Sequence, residues 1–238
     1  MKIDFLAHSG FLIELPHVLL LFDWWKGELP PLTGGKPLVV FASHSHRDHF
    51  KPEIFALDDG SREVRFLLGK DIRLNPHRVE QWGISEETLA LCTRTGGFQH
   101  KEPLPGVEVE TLPSTDAGVA FLVHADGKTI YHAGDLNWWY WAGESKEWND
   151  AMERDYKQYL EPLRGRHIDL AMVPLDSRLE SGEDLGLSYF LGLTQTDHVL
   201  PMHQWEDYAP TDRFLQKYPR WEKLICPISH EGQAFIID

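Results

Sequence analysis

Four side chains that bind transition metals, His44, His46, Asp48 and His49, stand within the ten-residue stretch Phe41-Ala-Ser-His-Ser-His-Arg-Asp-His-Phe50. No other feature limits as strongly what this chain can become. An apolar run, Leu38-Val39-Val40-Phe41, leads into the stretch, and Pro52 with Glu53-Ile54-Phe55-Ala56-Leu57 follows it. The pattern predicts a buried strand, a loop, and a helix that begins with proline in its first turn. Loops at the carboxyl ends of strands are where α/β folds concentrate their chemistry. His44 and His46, two residues apart, can face one point from an extended loop. Asp48 and His49 follow the turn and can face a second point nearby. Neutral imidazole suits zinc, iron or nickel, and a carboxylate adds a harder ligand.

The pattern His-x-His-x-Asp-His resembles the dinuclear metal motif of the metallo-β-lactamase fold superfamily. The resemblance implies a four-layer αββα sandwich and hydrolysis of an ester, amide or phosphodiester bond. It implies further that His44 and His46 serve one metal, and Asp48 and His49 the other. Two divalent ions are then expected, zinc first, with manganese or iron as alternatives.

The rest of the chain supplies further candidates. Residues 2–22 read as a meander of three strands with turns at His8-Ser9-Gly10 and Pro16-His17. This opening resembles a small lactonase-like branch of the same superfamily. His8 either points toward the metal pocket or is a turn histidine bonded to backbone. Asp23 ends the third strand, where in the superfamily an Asp supports the metal loop by hydrogen bonding. Residues 26–37, rich in Gly and Pro, read as a loop along the pocket rim. The turn Pro113-Ser-Thr-Asp-Ala-Gly118 lies where most of the superfamily carries a third histidine for the first metal. None stands there, and Asp116 is the expected substitute, the alternative being a residue that only shapes the turn.

Asp126-Gly127 signals a two-residue hairpin, and the returning strand Lys128–His132 ends in Ala133-Gly134-Asp135. Gly-Asp after a strand resembles the superfamily's bridging aspartate, so Asp135 is expected to serve both metals. His132 is open between core and pocket. The run Leu136-Asn-Trp-Trp-Tyr-Trp141 follows directly; Trp138 and Trp139 are candidates for a pocket wall, a buried plug or a dimer contact. Trp148, Met152, Tyr156, Tyr159 and Leu163 recur at helical spacing between Glu147 and Arg164 and read as core or interface. Arg178, just beyond the strand Ile168–Pro174, is either an exposed surface charge or a clamp for a substrate anion. His203 ends the segment Asp197–His203 and resembles the final ligand of the second metal.

Composition limits the remaining classes. The chain of 238 residues is read as one metallo-β-lactamase-like domain, residues 1–238, with 42% apolar residues for its core. A formal charge of −14 argues against nucleic acid or an anionic membrane as partner. The only cysteines, Cys92 and Cys226, make neither a disulfide framework nor a zinc site. No stretch reads as a signal peptide or membrane span, so the cytoplasm is the expected location. A homo-oligomer is left open by the aromatic load. The resulting expectation is a dinuclear metallohydrolase acting on a small ester or lactone. Asp48 would be its catalytic residue, orienting the nucleophile and passing a proton to the leaving group. The alternatives are a small-molecule phosphodiesterase of the same fold or a non-catalytic metal-binding module.

Overall fold

A computed structural model describes residues 1–32 and 34–237. Thr33, inside the expected rim loop, and Asp238 lie outside the described residues. The chain forms two sheets. The first contains β1 (Lys2–Ala7), β2 (Gly10–Glu14), β3 (Leu19–Phe22), β4 (Leu38–Ala42), β5 (Val64–Gly69) and β6 (Cys92–Thr95) in sequential order, with β13 (Ala234–Ile236) beside β1. The second contains β7 (His100–Leu104), β8 (Val107–Pro113), β9 (Val119–Ala125), β10 (Lys128–His132), β11 (His167–Pro174) and β12 (Gln195–Met202), again side by side in sequence.

The strand sequences explain the layers. Side chains alternate across a strand, so a strand covered on both faces reads as an unbroken apolar run. In Leu19-Leu20-Leu21-Phe22, Leu20 and Phe22 pack inward against the second sheet, while Leu19 and Leu21 pack outward. Val39 and Phe41 of β4 face inward with Phe121 and Val123 of β9; Val40 and Ala42 face outward. The outward face is covered by Phe50, Ile54, Phe55 and Ile84, from the 3-10 turn Pro52–Leu57 and its neighbours, including α1 (Pro76–Gln81) and α2 (Glu86–Ala90). The second sheet is covered by α3 (Lys146–Leu160) and α4 (Leu185–Leu193), with Tyr131 of β10 stacked on Phe190 of α4 at 5.1 Å. α5 (Ala209–Lys217) adds Phe214 to the same core. The result is the expected αββα sandwich.

Local departures have local causes. Asp71 is by residue type a candidate cap for the helix that reaches Trp82, but α1 begins only at Pro76, capped by Asn75, whose side chain accepts from Arg78 N at 3.0 Å. Asp71 is engaged elsewhere, accepting from Ser45 N in the metal loop at 2.6 Å. The helix from Pro52 is a short 3-10 turn. The stretch Lys223–Pro227, whose Leu224-Ile225-Cys226 is apolar enough for a strand, makes only a single bridge, Val199 with Ile225. Of the residues read as core or interface, Trp148 and Met152 line a surface cavity, while Tyr156 is fully buried in the core.

Four parallel or mixed-sheet strands, β4, β10, β11 and β12, end at one rim. Two glycines let their loops meet there. A Cβ on Gly118 (φ +70°) would sit 2.0 Å from Ser43 O, and one on Gly134 (φ +51°) would sit 2.8 Å from Ser43 Cβ. Only residues without a side chain let both turns press on Ser43 in these conformations. That contact carries Asp116 and Asp135 to the metal loop.

Candidate metal centre

Asp135 lies at the middle of the site. Its Oδ2 is 3.2 Å from His44 Nε2, and its Oδ1 is 3.1 Å from His49 Nε2 and 3.3 Å from His203 Nε2. Three donor groups converge around it. His8, Asp48, His49 and His203 form one; His44, His49 and Asp135 a second; His46, Asp116 and Asp135 a third. Within each group the donor atoms lie within 4.8 Å of one another. The structure therefore brings together all seven residues expected as ligands and adds His8 to them. His8 Nε2 is 3.6 Å from Asp48 Oδ2, and its ring centre is 4.1 Å from that of His203. His44 Nε2 and His46 Nδ1 approach within 3.0 Å.

The donors on the His203 side fit a cation. His8 Nε2, His49 Nε2, His203 Nε2 and Asp135 Oδ1 are all buried and make no hydrogen bond among the described residues. Orphaned buried polar atoms are costly, and four aimed at one place are satisfied together by a positive ion. Burial, reinforced by the neighbouring His203 and His49, pushes the His8 pKa down to about 2 and leaves it the neutral, ligating imidazole. Burial opposes the charge on Asp135, but His49 and His203 outweigh it and hold its pKa well below the usual carboxylate range.

The far nitrogens of these imidazoles are fixed by carboxylates. His49 Nδ1 donates to Asp23 Oδ2 at 2.7 Å. Asp23, fully buried, also accepts from Ser43 N at 2.7 Å and Ser43 Oγ at 2.6 Å, so one carboxylate sets both the loop and the ring. His203 Nδ1 donates to Asp176 Oδ2 at 2.8 Å. Such partners fix tautomer and ring orientation. His8, Asp23 and His203 all have left-handed backbones, with φ of 55°, 41° and 65°. A non-glycine residue held there costs about 1–3 kcal/mol, a strain typical of functional sites. A hydrogen bond of 3.1 Å from His203 N to His8 O ties the two turns together across the sheets.

Other expected pocket residues are placed differently. His132 is fully buried, donates through Nε2 to Ser9 O at 2.8 Å, accepts from Gly134 N at 3.1 Å, and stacks on Phe22. It braces the turn before Asp135 and does not stand in for the missing histidine. Trp139 lines the cavity, with its indole N–H on Asp135 O at 2.9 Å. Trp138 turns the other way, toward Tyr156 and Tyr189 with Lys157 over its ring, because successive residues of the loop face opposite sides. Trp141, in the aromatic run read as a candidate pocket wall, also lines the cavity, whereas sequence reasoning did not single out Asp176 or Asp71 for this site. The placement of Asp176 just beyond the end of β11, on the same rim as Asp135 and His203, is the one signal that could have found it.

The cavity over these donors has a volume of about 300 Å³ and is lined by His46, Asp48, Asp116, Asp135 and His203 together with Trp139, Trp141, Trp148 and Met152. Arg178 completes its wall.

A sandwich of this topology, with histidines and aspartates gathered on one rim around a shared carboxylate, defines a metal-binding site of the metallo-β-lactamase kind. Residues 2–141 match the family model described as a beta-lactamase superfamily domain, and the chain belongs to that family. A UPF0173 metal-dependent hydrolase of Opitutus terrae is 27% identical over 220 residues, covering 85% of this chain and 84% of the relative. The UPF0173 metal-dependent hydrolase YtkL of Bacillus subtilis is 26% identical, with 85% of each covered. Among solved structures, Igni18, a metallo hydrolase from the archaeon Ignicoccus hospitalis, superposes with a TM-score of 0.64 at 17% identity, covering 100% of this chain and 99% of that one; it shares the fold. Among the described residues no helix is long and apolar enough to cross a membrane.

Proposed function

We propose that this chain is a dinuclear metal-dependent hydrolase that cleaves small esters or lactones. Metal-dependent hydrolysis is the coarser part of that reading; it rests on family membership, on relatives of that description and on the donor set. The observation that carries the dinuclear part is Asp135, whose two oxygens divide between His44 on one side and His49 and His203 on the other. One ion would be held by His8, Asp48, His49 and His203, the other by His44, His46 and Asp116, with Asp135 between them. Zinc suits this mixture of imidazole and carboxylate, and manganese or iron are alternatives.

Divalent ions bound there would supply a water acidic near neutral pH and positive charge for the oxyanion that develops during attack. The chain's own residues do the rest. Asp23 and Asp176 keep His49 and His203 in the required tautomer. Asp48, whose Oδ2 faces His8 and His49 and would hold the ion, takes the proton released from water on its other carboxylate oxygen and returns it to the leaving alcohol oxygen. Water thus adds across the acyl C–O bond to give an alcohol and a carboxylic acid, which loses its proton to solvent to leave as the carboxylate. Trp139, seated on Asp135 O, walls the reacting centre from solvent.

The lining favours an ester over a phosphodiester. Three carboxylates face the cavity, and Arg178 is the one Lys or Arg side chain among its lining residues. A transferring phosphoryl group asks for more fixed positive charge. A cavity near 300 Å³ is at the small end for ligand sites, which fits a small-molecule substrate. The test is a panel of phenyl acetate, a γ-lactone and bis(4-nitrophenyl) phosphate, offered to metal-loaded and chelator-treated protein. Turnover of ester or lactone that disappears with chelator and returns with zinc, manganese or iron is the expected result. Faster turnover of the phosphodiester would replace this reading with a phosphodiesterase. Failure to take up any of the three metals would leave a binding module.

A further inference from the structure

Arg178 is held in the cavity wall in an uncommon way. Its Nε and Nη2 donate to the Asp176 carboxylate at 2.9 and 2.5 Å, while its Nη1 makes no hydrogen bond among the described residues. The Asp176 carboxylate is itself buried and accepts from His203 Nδ1. The guanidinium also lies 4.8 Å from the centre of the Trp205 ring, and Trp205 leans over His8 at 4.4 Å. Two partners therefore immobilise Arg178, and the same carboxylate that orients His203 fixes where the guanidinium stands relative to it. Nearly half of the side chain remains accessible, and it lines the cavity.

A cation this constrained has little freedom left to lose when it binds an anion. Asp176 occupies one edge of the guanidinium fork, which leaves the Nη1 N–H groups to serve as donors. Among the cavity-lining residues, Arg178 is the single Lys or Arg, and the remaining charged groups are carboxylates and histidines of the metal centre. Trp141, Trp148 and Met152 line the same cavity, and large stiff apolar surfaces of this kind take a flat apolar group. The metal donors complete the cavity between them.

Building on the ester and lactone reading, we infer that the pocket selects small substrates that carry an anionic group for Arg178 and a flat apolar group for Trp141, Trp148 and Met152. Arg178 acts as a specificity residue: it holds the anion by charge-assisted hydrogen bonds from Nη1 while the apolar part rests on the tryptophans. The volume of about 300 Å³ suits a single ring with a short carboxylate arm.

The test is a binding measurement, with 3-phenylpropionate, its neutral amide and acetate as probes, titrated calorimetrically into metal-loaded protein. Wild type is expected to bind the carboxylate about ten- to a hundredfold more tightly than the amide. Arg178→Gln should erase that preference, and Arg178→Lys, which keeps the charge, should restore part of it. Trp148→Ala should reduce the advantage of 3-phenylpropionate over acetate by about tenfold. Equal carboxylate preference in wild type and Arg178→Gln would overturn the inference, since the anion would then sit on the metals alone. If Arg178→Gln melts early, the Lys variant and the Trp148→Ala ratio decide. The two readings fail separately. Carboxylate preference without ester turnover removes the hydrolytic reading and keeps the anion site. Turnover of neutral esters unchanged in Arg178→Gln, with no carboxylate preference, does the reverse.

Discussion

On one side of Asp135, His8, His49 and His203 are buried, and two of the three rings are backed by a second carboxylate. On the other side, His46 and Asp116 leave about half of their side chains exposed, at 51% and 53%, and stand 3.9 Å apart with no comparable backing. Only His44 there is buried, with Ser43 Oγ 2.9 Å from its Nδ1. The contrast teaches that a donor set can be half preorganised. The inner group has its geometry settled by the fold before an ion arrives. An ion bound at the outer group would have to draw it together, at a cost in ordering entropy. The sequence difference behind this is the absence of a histidine in the turn that carries Asp116.

The severest way to break the comparison is to remove the residue common to both halves. Asp135→Ala should weaken metal at both positions and lower hydrolysis by about a thousandfold or more, the scale set by several kcal/mol of metal-derived stabilisation. Metal analysis alongside ester turnover checks it. Retention of two ions per chain would remove Asp135 from its bridging place.

Loosening only the inner backing should have a smaller effect. Asp176→Asn is expected to weaken the inner ion by about ten- to a hundredfold, measured by competition with a chelator, while the outer ion changes little. The same variant carries a pH signature in the metal-free protein. Burial raises the cost of charging Asp176, but the hydrogen bonds from His203 and Arg178 outweigh it and depress its pKa. A depressed carboxylate stabilises the fold above its unfolded value near 3.8, and that contribution is lost as pH falls through the lower folded value. The stability difference between wild type and Asp176→Asn should therefore be full at pH 6 and shrink below about pH 4. A difference that is constant from pH 6 to pH 2 would show that the carboxylate is not charged in the fold.

Asp116→Ala should give the mildest change. About one ion per chain should remain where wild type holds two, with the inner affinity altered less than about tenfold. Two ions in both proteins would take Asp116 out of the ligand set and leave solvent as the fourth partner of the outer position.

Much of this was legible along the chain because the signals are local. His44, His46, Asp48 and His49 share one loop, and their spacing alone implied convergence. Strand periodicity placed the meander of residues 2–22 and the apolar runs of β4 and β11. Misreadings came where two local signals competed. Asp71 looked like a helix cap, but its carboxylate is taken by Ser45 N, so Asn75 and Pro76 start the helix instead. Trp148 and Met152 follow helical spacing with Tyr156, yet they sit on the first turns of α3, where the helix overhangs the cavity and the core no longer covers it.

The amino-acid sequence by itself determined the sandwich and pointed to the side chains that the fold gathers as candidate metal donors, because hydrophobic alternation and short-range ligand spacing need no knowledge of what lies across the fold. It left open whether His8 faces the site, that His132 is a brace, and that Asp176 holds both His203 and Arg178. Those were decided by tertiary structure alone. His8 and His203 are 195 positions apart and meet only because β1 and β12 end at one rim of two packed sheets. Contacts of that range are set by sheet order and by the close approach of Gly118 and Gly134 to Ser43, which no local pattern encodes.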